Sequence, residues 1–215
     1  MKIPTEWTFK RDSVAEGFDR HVREQLPWYE IMSGAVAHIA RHYIPQKGRV
    51  YDLGCSTGNI GNLLRHVLEA RECEFVPIDN SEQMAGLYVG PGKVEVADIA
   101  SYEFGRFDAA IAFLCLMFLP PSHRERVLDS LKANLNKGGA IIIVDKMESS
   151  GGYLGTVISR LTLAGKAASG VPAEEIIEKE LSLIGVQRPM SPEEIAGARE
   201  IFRFGEFAGY VIEAH

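Results

Sequence analysis

Three acidic residues, each closing a short apolar run, carry the chemistry of this sequence. Asp52 stands two positions before Gly54 in Val50-Tyr-Asp-Leu-Gly-Cys-Ser-Thr-Gly58; Asp79 ends Val76-Pro-Ile-Asp79; Asp98 ends Val94-Glu-Val-Ala-Asp98. Gly54 and Gly58 bracket Cys55 and Ser56 in a Gly-x-x-x-Gly bend, which lets backbone approach a ligand closely. A carboxylate at Asp52 suits an ammonium group. One at Asp79, followed by Asn80, can accept both hydroxyls of a ribose, and its spacing from Gly54 fits the one helix and one strand between them. Asp98 can accept from the amino group of an adenine while Ile99 offers its N–H to the ring. Ser81 reads as an N-cap, with Met84 on the first helical turn against the base. Each signal alone also suits a tight bend or a helix cap. In succession they describe a cradle for a positively charged adenine nucleoside.

The competing ligand is a dinucleotide, whose G-x-G-x-x-G turn needs a glycine where pyrophosphate meets the backbone. That middle position is Ser56 here, although Gly61 follows Gly58 by three. A nucleoside without phosphate tolerates the serine, so the expected cofactor is S-adenosyl-L-methionine (SAM). Phe113-Leu114-Cys115 would pass beside its methionine end. No residue declares itself as a catalytic base: His21 and His123 read as structural or solvated, and Cys55 and Cys115 as small packing thiols. Arg160, Lys179 and Arg188 are candidates to meet an anionic substrate. Cys55, Cys73 and Cys115 lack C-x-x-C spacing, so no metal site is expected.

These residues need a scaffold, and the hydrophobic pattern supplies one. Short apolar runs at 48–54, 74–79, 94–98, 107–113 and 140–144 alternate with helical segments, notably one through Leu63, Leu64, Val67 and Leu68 and one at 122–135, the latter ended by Gly138-Gly139. Near-continuous apolar strands separated by helices predict a parallel α/β sheet covered on both faces, Rossmann-like and doubly wound. Before it, 13–25 and 29–43 read as helices, forming with the rest of 1–46 a helical lid. The core sheet spans 47–146, and a helical insertion covers 147–190. Closing strands lie within 191–215, where 202–212 predicts a hairpin about Gly205. The whole reads as one domain.

At 215 residues, 46% apolar and 24% charged, the chain has an ordinary globular composition. A net charge of −6 and the absence of Lys/Arg runs argue against an extended grip on nucleic acid. The opening MKIPTEWTFKRD has no apolar core of a secretory signal, and no run is long enough to span a bilayer. A cytoplasmic protein with reduced cysteines is expected, acting without a membrane, with a homodimer left open.

The same residues resemble class I SAM-dependent methyltransferases, and among them the carboxy-S-adenosylmethionine synthase branch of tRNA wobble-uridine modification. The resemblance rests on Trp7-Thr-Phe9, Val14-Ala-Glu-Gly-Phe18, Leu26-Pro-Trp-Tyr29, Tyr51-Asp-Leu-Gly-Cys-Ser56 and Ile78-Asp-Asn-Ser81. It continues through Phe118-Leu119, Pro121-Ser122, Leu135-Asn136, Gly138-Gly139-Ala140 and Asp145-Lys146. It covers residues 7–147 well, includes the Ser56 departure from the glycine loop, and is looser beyond. It implies that the N-terminal helices lid the cofactor and that Tyr29 lies near its methionine end. The branch holds its product's extra carboxylate with an arginine directly after a lysine; here Lys179 is followed by Glu180, which would repel it unless Arg160 or Arg188 substitutes. Phe113 replaces an expected asparagine, and the stretch from Ser191 to Phe202 is short. The resemblance therefore implies a methyltransferase acting on a small molecule or nucleoside by in-line transfer. Carboxy-SAM synthesis from prephenate and a non-catalytic SAM-binding partner are the alternatives.

Overall fold

The computed structural model describes residues 7–149 and 151–214. Residues 1–6, on which the expected lack of a leader partly rests, lie outside the described residues. The chain opens with α1 (Asp12–Ala15), α2 (Phe18–Gln25) and α3 (Tyr29–Ala40). It then alternates β1 (Arg49–Leu53), α4 (Asn59–Ala70), β2 (Glu74–Asp79), α5 (Glu82–Gly86), β3 (Glu95–Val96), β4 (Phe107–Phe113), α6 (Pro121–Asn134) and β5 (Leu135–Lys146). Helices α7 (Gly152–Ala168) and α8 (Ala173–Ser182) follow, then β6 (Arg199–Phe204) and β7 (Phe207–Glu213).

The seven strands run in the order β3-β2-β1-β4-β5-β7-β6. β1 to β5 are mutually parallel, while β7 pairs antiparallel with both β5 and β6. This is the expected doubly wound α/β sheet, with the predicted hairpin as its closing pair. The chain winds outward from β1 through β2 to β3, then returns to β4 on the other side of β1. The reversal opens a crevice beyond the carboxyl ends of β1 and β4, where ligands of such sheets bind.

Side chains alternate across the pleat, so each strand feeds two cores. Leu53, Ile78, Ala110, Ile141 and Ile143 pack with Val127, Leu128 and Leu131 of α6. Val50, Ile111, Ile142 and Val144 pack with Val36 and Ala40 of α3 and Leu64 and Leu68 of α4. Asp52 shares the parity of Val50 and is thereby turned toward α3 and α4.

Several boundaries differ from expectation for local reasons. The predicted helix over 13–25 is two helices, parted at Glu16–Gly17, where a glycine lowers helical preference. β3 keeps only two paired residues, because it is an edge strand that meets β2 only at Glu95 and Val96. Gly138-Gly139 does not end α6. That helix stops at Asn134, Leu135 joins the sheet opposite Phe107, and Gly138 (φ 80°) turns the chain before Ala140 resumes pairing beside Ala109. Leu63, one of the apolar residues that mark the α4 helix in the sequence, is exposed.

Candidate functional site

Beyond the carboxyl ends of β1, β2, β3 and β4 lies a hollow of about 150 Å³. Its floor is the glycine bend after β1. Gly54 (φ 67°) and Ser56 (φ 50°) both take the left-handed conformation, and the N–H groups of Gly54 and Cys55 donate to the carbonyl of Ile78, at 2.8 and 3.0 Å. A side chain on Gly54 is excluded by space as well as by φ, since its Cβ would fall 2.7 Å from Cys115 Sγ. Gly58 (φ 99°), expected against the cofactor, does not line the hollow; its missing Cβ instead makes room for the Gly90 backbone.

Asp79 holds this bend in place. One carboxylate oxygen accepts from Ser56 N–H and the other from Ser81 N–H, both at 2.9 Å. Ser81 Oγ accepts from Met84 N–H at 3.1 Å, the expected N-cap. Each carboxylate oxygen retains a lone pair for a further donor. Met84 is fully buried in the wall, 3.6 Å from Ser56 Oγ. Asp98 is exposed at the rim and anchors its own turn through Ala100 N–H at 2.9 Å, while Ile99 is buried.

The hollow thus brings together Tyr29, Asp52, Gly54, Cys55, Ser56, Asp79, Asn80, Met84, Asp98, Ile99 and Phe113. Thr57, Asn59 and Ile60, Leu114 and Cys115, and Phe9, Phe18, Phe118 and Leu119 join them. Asn59 is the informative addition. Its Nδ2 is buried without a hydrogen-bond partner, as is Asp52 Oδ2. One orphaned donor and one orphaned acceptor match a ligand end that bears both a carboxylate and an ammonium, as the methionine end of SAM does. The signal for Asn59 was its place at the first helical position after the glycine bend.

No lysine, arginine or histidine is among the described residues that line this hollow. Burial, then the charge of Asp79, pushes the Asp52 carboxyl up to about 7 against the pull of the Gly61 amide. Burial also raises Asp79, despite the amides of Ser81, Ser56 and Asn80. Both carboxylates lack a countercharge, so a bound cation stabilises them and a phosphate repels them. Burial raises the thiols of Cys55 and Cys115 and the phenol of Tyr29, so none is ionised near neutrality.

A second chamber of about 200 Å³ shares Phe9, Phe18, Leu114 and Phe118 with the first. α2, α7 and α8, the end of β5 and the start of β7 wall it. Lys179 lies in this wall, over the ring of Trp7. Arg160 is exposed on α7, and Arg188, whose backbone N–H donates to Met117 O at 2.7 Å, lines neither space. Glu180 is not a free negative charge: Lys166 Nζ lies 2.6 Å from its carboxylate. Lys146 Nζ stands 3.5 Å from Glu206 and donates to Gln187 at 3.1 Å. Among the described residues no helix is long and apolar enough to cross a membrane, and no His/Cys/Asp/Glu cluster suits a metal.

Known proteins with this architecture point one way. A methyltransferase domain model matches residues 50–139. The carboxy-S-adenosyl-L-methionine synthase of Staphylococcus epidermidis is 28% identical over 97% of this chain and 97% of its own length. That of Shewanella pealeana is 30% identical over 83% of this chain and 77% of its own. Among solved structures, magnesium protoporphyrin IX methyltransferase of Synechocystis PCC 6803, with bound S-adenosylhomocysteine (SAH), superposes with a TM-score of 0.58 at 16% identity, covering 95% of this chain and 97% of that one. The DhpI–SAH complex gives 0.59 at 13% identity, covering 93% and 91%. The chain belongs to the class I SAM-dependent methyltransferases, in the branch of the carboxy-S-adenosyl-L-methionine synthases, and is a transferase with SAM as its cofactor.

Proposed function

We propose that the protein methylates a small-molecule or nucleoside-type acceptor held in the second chamber. The observation that carries this reading is the shared boundary of the two spaces at Leu114 and Phe118, beside the methionine end of the cofactor site. In this reading Asp52 accepts from the α-ammonium, Asn59 donates to the carboxylate, Asp79 takes the ribose hydroxyls, and Asp98 with Ile99 meets the adenine. SAM supplies a methyl group on an activated sulfonium, so alignment and exclusion of water are what the protein must add. Phe9, Phe18 and Tyr29 roof the hollow. The roof is latched by Thr57 Oγ1 donating to Asp19 at 2.7 Å and Ser81 Oγ donating to the carbonyl of Phe9 at 2.7 Å. Within the expected lid of 1–46, the described stretch before α3 acts as the lid of a single SAM-binding unit, whereas α3 packs on the sheet beside α4.

The second reading is carboxy-SAM synthesis, favoured by the names of the relatives. Repulsion by Glu180 no longer opposes it, since Lys166 neutralises that carboxylate. The missing arginine still does: neither Arg160 nor Arg188 reaches the chamber, and of its three lysines Lys146 and Lys166 are already paired with carboxylates.

Incubation with methyl-deuterated SAM and a small-metabolite extract separates the two by mass spectrometry. The expected result is labelled product with matching SAH. A cofactor heavier by one carboxyl, formed when prephenate is added, would overturn the methyltransferase reading. The ribose assignment has its own test. Asp79→Ala is expected to weaken SAM binding by about 1–3 kcal/mol, the range for losing hydrogen bonds to a charged group. Unchanged affinity by calorimetry would contradict it.

A further inference from the structure

Four polar atoms in the second chamber have no hydrogen-bond partner among the described residues. His21 and Gln25 stand one turn apart on α2, only 3% and 7% exposed, and both line the chamber. Nδ1 and Nε2 of His21, and Nε2 and Oε1 of Gln25, are buried without a hydrogen-bond partner. Glu175 approaches His21 Nδ1 at 3.8 Å, beyond hydrogen-bond reach. Buried orphans are rare because such groups lose their hydration without replacement. Two of them, adjacent on one helix face, mark a surface built for a ligand's polar edge.

The inventory of these atoms defines that edge. Burial, then the charges of Lys179 and Lys166, brings His21 down to about 4, so its imidazole is neutral near pH 7 and offers one donor and one acceptor. The Gln25 amide likewise offers both. A carboxylate, which only accepts, would face two lone pairs. A cis-amide edge, with N–H beside C=O, pairs with one donor and one acceptor at once, which a carboxylate cannot do.

Charge agrees. Lys166 is paired with Glu180 and Lys146 with Glu206. Burial, then the Lys166 charge, brings Lys179 down to about 5. Lys179 is the one lysine lining the chamber without a carboxylate partner among the described residues, and as a neutral amine it does little to offset the desolvation of an anion. Trp7, Phe9, Phe18, Phe118 and Phe207 supply flat apolar walls around the same space.

We infer that the second chamber receives an uncharged ring compound that presents a lactam or imide edge to His21 and Gln25. This rests on the reading of the chamber as the acceptor's room and names the acceptor's class. His21 and Gln25 are the specificity residues, and the ring lies among the aromatic walls.

The test uses the full chain saturated with SAH and three probes: carbostyril (a bicyclic lactam), its N-methyl derivative, and naphthoate. Ligand-observed NMR is expected to show carbostyril binding. N-methylation or Gln25→Leu should each weaken it about tenfold, as sites built around a hydrogen bond discriminate. SAH affinity in Gln25→Leu should equal that of the wild type, and its Tm should not fall, because an orphaned buried amide has been removed. His21→Phe is the second variant, with the same expectation. Naphthoate binding as tightly as carbostyril, or carbostyril binding unchanged by both variants, would overturn the inference. SAH binding is read separately: a wild-type chain that fails to bind SAH would defeat the cofactor reading and this inference together. Intact SAH binding with a failed lactam defeats this inference alone.

Discussion

Asp52→Asn is expected to cost the protein most of its affinity for SAM while making the empty protein more stable. Asp52 Oδ2 is buried and unpaired, and burial with the nearby Asp79 charge raises the carboxyl to about 7. An unfolded aspartate titrates near 4, so between about pH 4 and 7 the folded state holds a proton that the unfolded state has released. Stability therefore falls as pH rises across that window and stays reduced above it. A difference of three pH units corresponds to about 4 kcal/mol. The asparagine side chain cannot ionise, so the variant should melt higher above neutral pH and show a flatter dependence of Tm on pH. Asp145, which burial also pushes up to about 7, and Asp79, likewise raised by burial, keep the remainder of the slope. The cation of SAM makes the same carboxylate favourable, so the substitution should weaken binding by about 2–4 kcal/mol. Calorimetry and thermal melting at pH 8 read both effects. Equal SAM affinity, or a lower Tm in the variant, would contradict the assignment of Asp52.

The second large effect lies away from the cofactor, at Arg124 on α6. The residue is 1% exposed, and its guanidinium makes a fork to Glu194, Nε to Oε1 at 2.7 Å and Nη2 to Oε2 at 3.0 Å. It also donates to the carbonyls of Arg188 and Pro189. Glu194 in turn accepts from Ser191 N–H at 2.8 Å. One buried cation therefore ties the stretch after α8 to the sheet's helical layer, and the Arg188 N–H tethers that stretch to Met117 in the chamber wall. Arg124→Met removes the cation and leaves Glu194 without its partner. The expected loss is about 3–5 kcal/mol, or about 10 °C in Tm for a chain of this size. Arg124→Met combined with Glu194→Met should recover most of it, because no uncompensated charge remains. A Tm for the single variant within a degree or so of wild type would contradict the clamp.

Much of the fold and the cofactor cradle was legible from local pattern. β2 and β4 begin and end where the apolar runs do, because central parallel strands are buried on both faces and leave no room for polar residues. Asp52 and Asp79 were readable because each lies at the carboxyl end of such a strand, and Asp98 because it follows the edge strand β3; the topology brings those ends together. What escaped is tertiary. Asn59 is an ordinary helix-start residue until its amide is seen to be buried without a partner. Arg124 and Glu194 are 70 positions apart, and nothing in either neighbourhood announces the pair. Glu180 read as a repelling charge only because Lys166, on the preceding helix, could not be placed against it. His21 read as structural because its orphaned nitrogens are a property of the chamber and not of α2. The two glycines at 138–139 read as a helix stop, whereas pairing between Leu135 and Phe107 had already ended the helix.

A crystal structure of the protein grown with SAH tests the cradle most directly. The expected density places the adenosine in the hollow beyond β1 and β4, with the ribose hydroxyls on Asp79, the amino group on Asp52 Oδ2 and the carboxylate on Asn59 Nδ2. Adenosine bound elsewhere, or a pyrophosphate-bearing nucleotide seated in that hollow in preference to SAH, would contradict the account.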